Sequence, residues 1–333
     1  MQIRIYLPFF LLTLMILGIS CQQDNKTNSG EVAYSTSTTS DIVVSQKDLI
    51  PEGIAHDAKT GHFYLSSIHK RKIVKVDSKG NASDFIQTEQ DGYLGGVGLE
   101  VDEKRNCLWA LMWSQVGEVH KTGLFQYDLA SGQLLHKHLL ENTTGTLLND
   151  LEVHPDGSLY LSNSLDGGIY HLPNPEGELS LWWQDTGYKY LNGITLSDDG
   201  KTLYVASFKT AFKVDIASKT ASNIHPEGTV VSSKGLDGLY YYKNGLLGVF
   251  NGNADFSKHG IFRYELNKKG MVKDSSVIDQ NQAYFSVPTT GVIVGNQFYV
   301  VANSQMTQLD QTTNSIKAPE RLQDVFIKAY NLP

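Results

Sequence analysis

Six short stretches of the chain share one pattern: a polar or small residue, usually a glycine next to it, then an aliphatic residue. They are Glu52-Gly53-Ile54, Val97-Gly98-Leu99, Asn149-Asp150-Leu151, Asn192-Gly193-Ile194, Asp237-Gly238-Leu239 and Thr290-Gly291-Val292. Five residues beyond each first position the chain reaches a turn, at Asp57, Asp102, His154, Ser197, Tyr242 and Gly295. A second apolar run follows each turn, as in Phe63-Tyr64-Leu65, Leu159-Tyr160-Leu161 and Phe298-Tyr299-Val300. Pro155-Asp156-Gly157 and Asp198-Asp199-Gly200 lie between two such runs, and Asp-Gly between alternating apolar segments is a strong hairpin signal. Each unit is therefore at least a β-hairpin. Most units continue into a third alternating run, such as Ile73-Val74-Lys75-Val76 or Gly260-Ile261-Phe262-Arg263-Tyr264, which reads as a strand with one wet face.

The unit recurs at intervals of roughly 43 to 53 residues, the range of a four-stranded propeller blade. A β-sandwich would not produce six like hairpins at near-constant spacing. The expected fold is all-β, a six-bladed β-propeller filling residues 41–333. Two segments compete to complete the last blade, Asp41–Val44 before the first unit and Val325–Tyr330 after the last.

In a propeller the first strand of each blade lines the central channel, so the same position in different blades converges on one axis. That position reads Glu52, Val97, Asn149, Asn192, Asp237 and Thr290. Four of the six are amide or carboxylate oxygen donors, and none is histidine or cysteine. Hard oxygen ligands select calcium, magnesium or manganese over zinc or copper. Two carboxylates across a channel repel one another, whereas a bound dication turns that repulsion into a site. One divalent metal on Glu52, Asn149, Asn192 and Asp237 is expected, with calcium first. Since calcium takes about six to eight oxygens, four protein ligands leave room for water or substrate. Asp150 replaces the glycine of the sibling units beside Asn149, where it could support that ligand or take a proton from an attacking water.

Composition narrows the partners. With 28 basic and 35 acidic residues, a net charge of −7 and no basic cluster, nucleic acid is an unsuitable partner. Residues 1–20 carry Arg4 and an apolar run from Leu7 to Ile19 ending in Ser20-Cys21, the layout of a secretory signal. A cysteine there resembles the lipobox of bacterial lipoproteins, although Gly18 stands where that pattern prefers leucine. The expectation is an exported protein anchored to a bacterial membrane through lipid on Cys21. Residues 21–40, with the run STSTTS, would be a flexible tether, and the propeller would work as a monomer. The other cysteine, Cys107, sits in an apolar run and reads as a buried small hydrophobe.

The motifs Pro51-Glu52-Gly53, Asn149-Asp150, Asn192-Gly193 followed by Ser197-Asp198-Asp199-Gly200, and Asp237-Gly238, taken in that order, resemble the senescence-marker-protein and gluconolactonase (regucalcin-like) family, with paraoxonases more distant. The resemblance covers residues 41–333. It implies metal coordination by Glu52, Asn192 and Asp237, with Asn149 coordinating or holding substrate and water beside the metal. It further implies calcium-dependent hydrolysis of a small-molecule lactone or related ester. In such a metal-assisted reaction Asp237 or Asp150 is the expected general base. Two departures bear on substrate and mechanism. Leu147 stands where sugar-lactone members carry an arginine, and Gly95-Gly96-Val97-Gly98 offers no paraoxonase-type histidine. Trp113, and Trp182-Trp183 with Tyr188 and Tyr190, fit either a pocket mouth or outer-strand packing. His56, His154 and His171 read as locally bonded, and Ser66, Ser67 and Ser304 lack a nucleophile elbow. A binding module that uses calcium only to stiffen its axis is the alternative. A sugar oxidoreductase would need a basic cofactor pocket that the channel positions do not supply.

Overall fold

The computed structural model describes residues 40–116, 119–141, 145–207, 210–225, 235–252 and 258–333. The expected signal segment, Cys21 and nearly all of the tether lie outside the described residues. The chain enters with a three-residue strand, β1 (Ile42–Val44). The first blade then follows as β2 (Pro51–Asp57), β3 (His62–Ser67), β4 (Ile73–Val76) and β5 (Ala82–Ile86). Blade two holds β6 (Gly95–Asp102), β7 (Cys107–Val116), β8 (Val119–Asp128) and β9 (Leu134–Glu141). Blade three holds β10 (Leu148–Val153), β11 (Leu159–Asn163), β12 (Gly168–Leu172) and β13 (Ser180–Gln184). Blade four holds β14 (Ile194–Leu196), β15 (Thr202–Ala206), β16 (Ala211–Asp215) and β17 (Ala221–Asn223). Blade five holds β18 (Leu236–Tyr242), β19 (Gly245–Phe250), β20 (Gly260–Leu266) and β21 (Val272–Gln280). Blade six contains β22 (Gly291–Val294), β23 (Gln297–Val301) and β26 (Val325–Asn331), with a small ribbon of β24 (Leu309–Asp310) and β25 (Ser315–Ile316) inserted before β26.

In the first five sheets each strand pairs with the next, so every blade is an antiparallel meander; the sixth runs β22-β23-β26-β1. The competition between the two terminal segments is resolved by both taking part. The C-terminal strand is third, and β1 lies outermost with Ile42 opposite Ile327 and Val44 opposite Val325. Asp41 adds to this seam by accepting from Lys328 Nζ and Ala329 N.

The alternating residues of each sheet are buried between blades. Val97, Trp109, Leu111 and Leu124 of blade two meet Leu148, Leu151, Leu159 and Leu161 of blade three, for example. Trp109, Tyr64, Tyr93 and Tyr127 are among the largest fully buried side chains. At roughly 25 cal/mol per Å² of apolar surface removed from water, this between-blade burial is the main force holding the ring together. Cys107 is a buried free thiol, bonded to Gln126 Nε2 at 3.0 Å.

Candidate metal centre

Each innermost strand carries a β-bulge where the repeat begins. In blades one, two, three and five the ladder slips by one residue between Pro51 and Ile54, Gly96 and Leu99, Leu148 and Leu151, and Leu236 and Leu239. Blade four shows the same feature just before β14, where Asn192 N donates to Ala206 O at 3.0 Å while Ala206 N donates to Gly193 O at 2.8 Å. Two residues facing one bend the strand and re-aim the first side chain, which is how a strand edge presents a ring of side chains to the axis.

In blade six the two residues facing Val301 are Thr289 and Thr290, so the ring position there is Thr289 and not Thr290. The glycine that marks the second position elsewhere comes one residue late in this blade, as Gly291, and that shifted the sequence register. Thr289 and Thr290 both donate their hydroxyls to Glu52 O, at 2.9 and 2.5 Å, and join blade six to blade one. Val97 is packed in the core with Leu148 and Leu151. Four blades are left to offer free side-chain oxygens to the axis.

The second bulge position is glycine because the next blade comes too close for a side chain. A Cβ on Gly53 would lie 2.3 Å from Val97 O, and one on Gly193 2.5 Å from Asp237 O. Thr290 and Asp150 are the exceptions, and the Asp150 carboxylate spans the gap itself, with Oδ2 accepting from Ile194 N of blade four at 3.2 Å.

All four expected ligands retain a buried oxygen without a hydrogen-bond partner: Glu52 Oε2, Asn149 Oδ1, Asn192 Oδ1 and Asp237 Oδ1. Leaving one such group unpaired costs about 1–3 kcal/mol, so four in one layer call for a common partner. The carboxyl groups sense one another. Burial first, then the charges of Asp237 and Asp150, hold Glu52 well above the ordinary carboxylate range. Burial and Asp150 raise Asp237 to about 8, partly offset by hydrogen bonds from Asn192 and Asn251. Burial raises Asp150 to about 7, against the Ile194 and Leu151 N–H groups. No lysine or arginine figures among the groups acting on these three. A dication would supply the missing positive charge and satisfy all four oxygens together, and the oxygen-only donor set suits a hard cation. Among the described residues no group of three or more His, Cys, Asp or Glu is arranged to hold a metal, which leaves this mixed carboxylate and amide set as the candidate.

Sequence reasoning missed Asn251, just beyond β19, whose Nδ2 donates to Asp237 Oδ2 at 2.5 Å. It also missed the next layer down the same strands, three residues past the ring: Ala55, Glu100, Glu152, Thr195, Tyr240 and Val292. These line a cavity of about 370 Å³ on the axis, which the four ring residues do not line and Asp150 does. Each polar member of this layer is tied to the following blade. Glu100 Oε2 accepts from Val153 N at 3.0 Å, and Thr195 Oγ1 from Tyr241 N at 3.1 Å. Tyr240 Oη accepts from Gly291 N at 2.7 Å, and Glu152 accepts from Leu196 N and the Thr195 hydroxyl.

The remaining residues singled out have local work. His154 Nε2 meets Gly200 O at 3.1 Å, His171 packs on Tyr160 at 4.8 Å, and His56 packs on Phe63 at 4.7 Å. Ser66 donates to Val97 O, Ser67 to Leu49 O and Ser304 to Val287 O; all three serines are buried. Trp183 stacks on Phe212 and Trp182 meets Tyr160 edge-on, so this pair is outer-strand packing. Tyr190 is exposed, and Trp113 lies in β7 opposite Gly95, just beyond the ring.

The SMP-30/Gluconolactonase/LRE-like family model matches residues 50–286, and the chain belongs to that family. It is a lactonase-like β-propeller. Among solved structures, the calcium-binding protein regucalcin from Agrobacterium tumefaciens is similar, with 18% identity and a TM-score of 0.56, covering 87% of this chain and 92% of that one. The PQQ-bound aldose sugar dehydrogenase of Streptomyces coelicolor is equally similar in shape, with 13% identity and a TM-score of 0.58, covering 87% and 97%. Likeness at this level carries the fold alone. A human U3 small nucleolar RNA-associated protein 18 homolog is 27% identical over 146 residues, 41% of this chain; the chain spans a quarter (25%) of that protein's length.

Proposed function

We propose that the protein hydrolyses lactones or related esters with the help of one calcium ion held by Glu52, Asn149, Asn192 and Asp237. The observation that carries this reading is the set of four partnerless buried oxygens on one layer of a family-member propeller. A bound dication supplies Lewis-acid polarisation of the substrate carbonyl. The chain's own residues do the rest. Asp237, whose Oδ1 is buried and without a hydrogen-bond partner, is the proton acceptor. Burial, then the nearby Asp150 charge, raises its basicity in the metal-free ring. Water attacks the carbonyl carbon and its proton passes to the Asp237 carboxylate. The acyl C–O bond breaks, and the leaving alkoxide takes that proton back from Asp237 to give the hydroxy acid. Leu147, adjoining the ring strand, gives a polyhydroxylated substrate no ionic partner, which favours a less polar lactone.

The sequence layout alone supports one further part of the reading: export with a lipid on Cys21. Among the described residues no helix is long and apolar enough to cross a membrane.

The test is calcium binding by calorimetry together with turnover of a lactone and ester panel, comparing wild type with the Glu52→Gln/Asp237→Asn double variant. Binding and turnover in the wild type, both lost in the variant, support the proposal. Calcium bound with no turnover of any member would replace it with the binding-module reading, and no cation bound by the wild type would remove the metal site altogether.

A further inference from the structure

Asn251 stands at a position that repeats around the propeller. It follows the second strand of its blade, and its N–H bonds Gly235 O, two residues before the ring member Asp237, at 2.8 Å. The corresponding residues are Ile68 in blade one, bonded to Ile50 O, and Ser164 in blade three, bonded to Leu147 O. Trp113 takes the place in blade two, opposite Gly95. In blade six the place falls to Asn303, whose amide is engaged by Asp324 O and Phe326 N, and Ser164 Oγ turns to Leu191 O at 2.6 Å. Among these described residues Asn251 is the one whose side chain bonds a ring carboxylate. It occupies Oδ2 of Asp237 and leaves Oδ1 buried and partnerless.

We propose that Asn251 is a positioning residue that makes Asp237 a one-oxygen ligand, and through that denticity sets which cations the ring accepts. The proposal rests on the cation reading given above. A carboxylate held at one oxygen by an amide N–H is kept from swinging to offer both oxygens to an ion, so Asp237, like the amides of Asn149 and Asn192, presents a single oxygen. Such a set is compatible with the strict six-coordination and short bonds of magnesium or manganese as well as with calcium. Released from Asn251, Asp237 keeps its hydrogen bond from Asn192 but can turn to coordinate through both oxygens, an arrangement that suits calcium's flexible geometry better than magnesium's strict octahedron.

The experiment titrates CaCl₂, MgCl₂ and MnCl₂ separately into metal-stripped full-length protein by calorimetry, for wild type, Asn251→Leu and Ser164→Ala. Asn251→Leu keeps the shape and removes the donor. It is expected to weaken magnesium and manganese by about 10–100-fold, the usual effect of losing a ligand's hydrogen-bond partner, and calcium by distinctly less. The infrared carboxylate stretches of the calcium-loaded variant should shift toward the two-oxygen pattern. Ser164→Ala, at the same position in blade three, should leave all three affinities unchanged. Equal weakening of the three cations in Asn251→Leu, or none, overturns the proposal. Should Asn251→Leu fail to fold, Asn251→Ser, too short to reach Asp237, is held to the same outcomes. Wild type that binds none of the three cations overturns the ring reading and this proposal with it, a failure distinguished by appearing before any substitution.

Discussion

The ring at the axis and the layer three residues below it lie on the same strands, are equally rich in acids, and differ in what their oxygens meet. Below the ring, Glu100, Glu152, Thr195 and Tyr240 each accept from the backbone of the following blade. In the ring, Glu52, Asn149, Asn192 and Asp237 each keep an oxygen that meets nothing. A buried acid is therefore not in itself a ligand. The lower layer spends its oxygens stitching blades together, while the ring holds them in reserve because the bulge has turned those side chains out of the ladder.

The largest expected effect separates the two layers outright. Glu52→Gln/Asp237→Asn should abolish calcium binding and lower kcat/KM by about 10³-fold or more, since a Lewis-acid metal is worth several kcal/mol. Thermal stability measured in chelator should not fall. Glu100→Leu should do the reverse. It strands Val153 N–H and should lower stability by about 1–3 kcal/mol in a denaturant titration, with calcium affinity kept. Loss of calcium binding in Glu100→Leu would erase the distinction.

A third, smaller effect is carried by pH. Burial, reinforced by Asp150, keeps Glu152 protonated in the folded chain up to about 8, against 4.5 for an ordinary glutamate. Between those values the folded state binds more protons than the unfolded one, so this group's contribution is intact at low pH and stability drains away as pH rises through the window. Glu152→Gln should therefore raise Tm in chelator at pH 8 and change it little at pH 4.5. An equal rise at both values would show that Glu152 does not titrate in that range. The smallest effect is Thr289→Val, which removes one hydrogen bond to Glu52 O and should cost about 1 kcal/mol without altering the calorimetric calcium affinity.

Much of this was legible in the chain. Period-two alternation repeats six times, and Glu52, Asn192 and Asp237 share a place beside a glycine because the neighbouring blade's backbone leaves little room for a side chain there. The same marker misled in blade six, where the bulge carries two threonines and the glycine comes one residue late. Asn251 escaped notice because its link to Asp237 depends on strand register across a hairpin, which counting from Gly235 to its partner would have revealed. Glu100 and Glu152 were passed over because their partners lie on another blade, about one repeat further along, and no periodicity within a strand signals such a bond.

The shared sixth blade also has a bearing on how the molecule is made. Ala329 N and Asp41 are 288 positions apart in the chain, so the last blade brings together the beginning and end of the fold. Bringing such distant segments together costs loop-closure entropy, and contacts of this kind form late. Five blades can assemble as local meanders while the chain is still emerging, but the ring cannot shut until Val325–Asn331 is available to β1. Until then β1 and the edge of β23 are unpaired strands, and capture of one molecule's β1 by another's β23 is the misassembly this architecture invites.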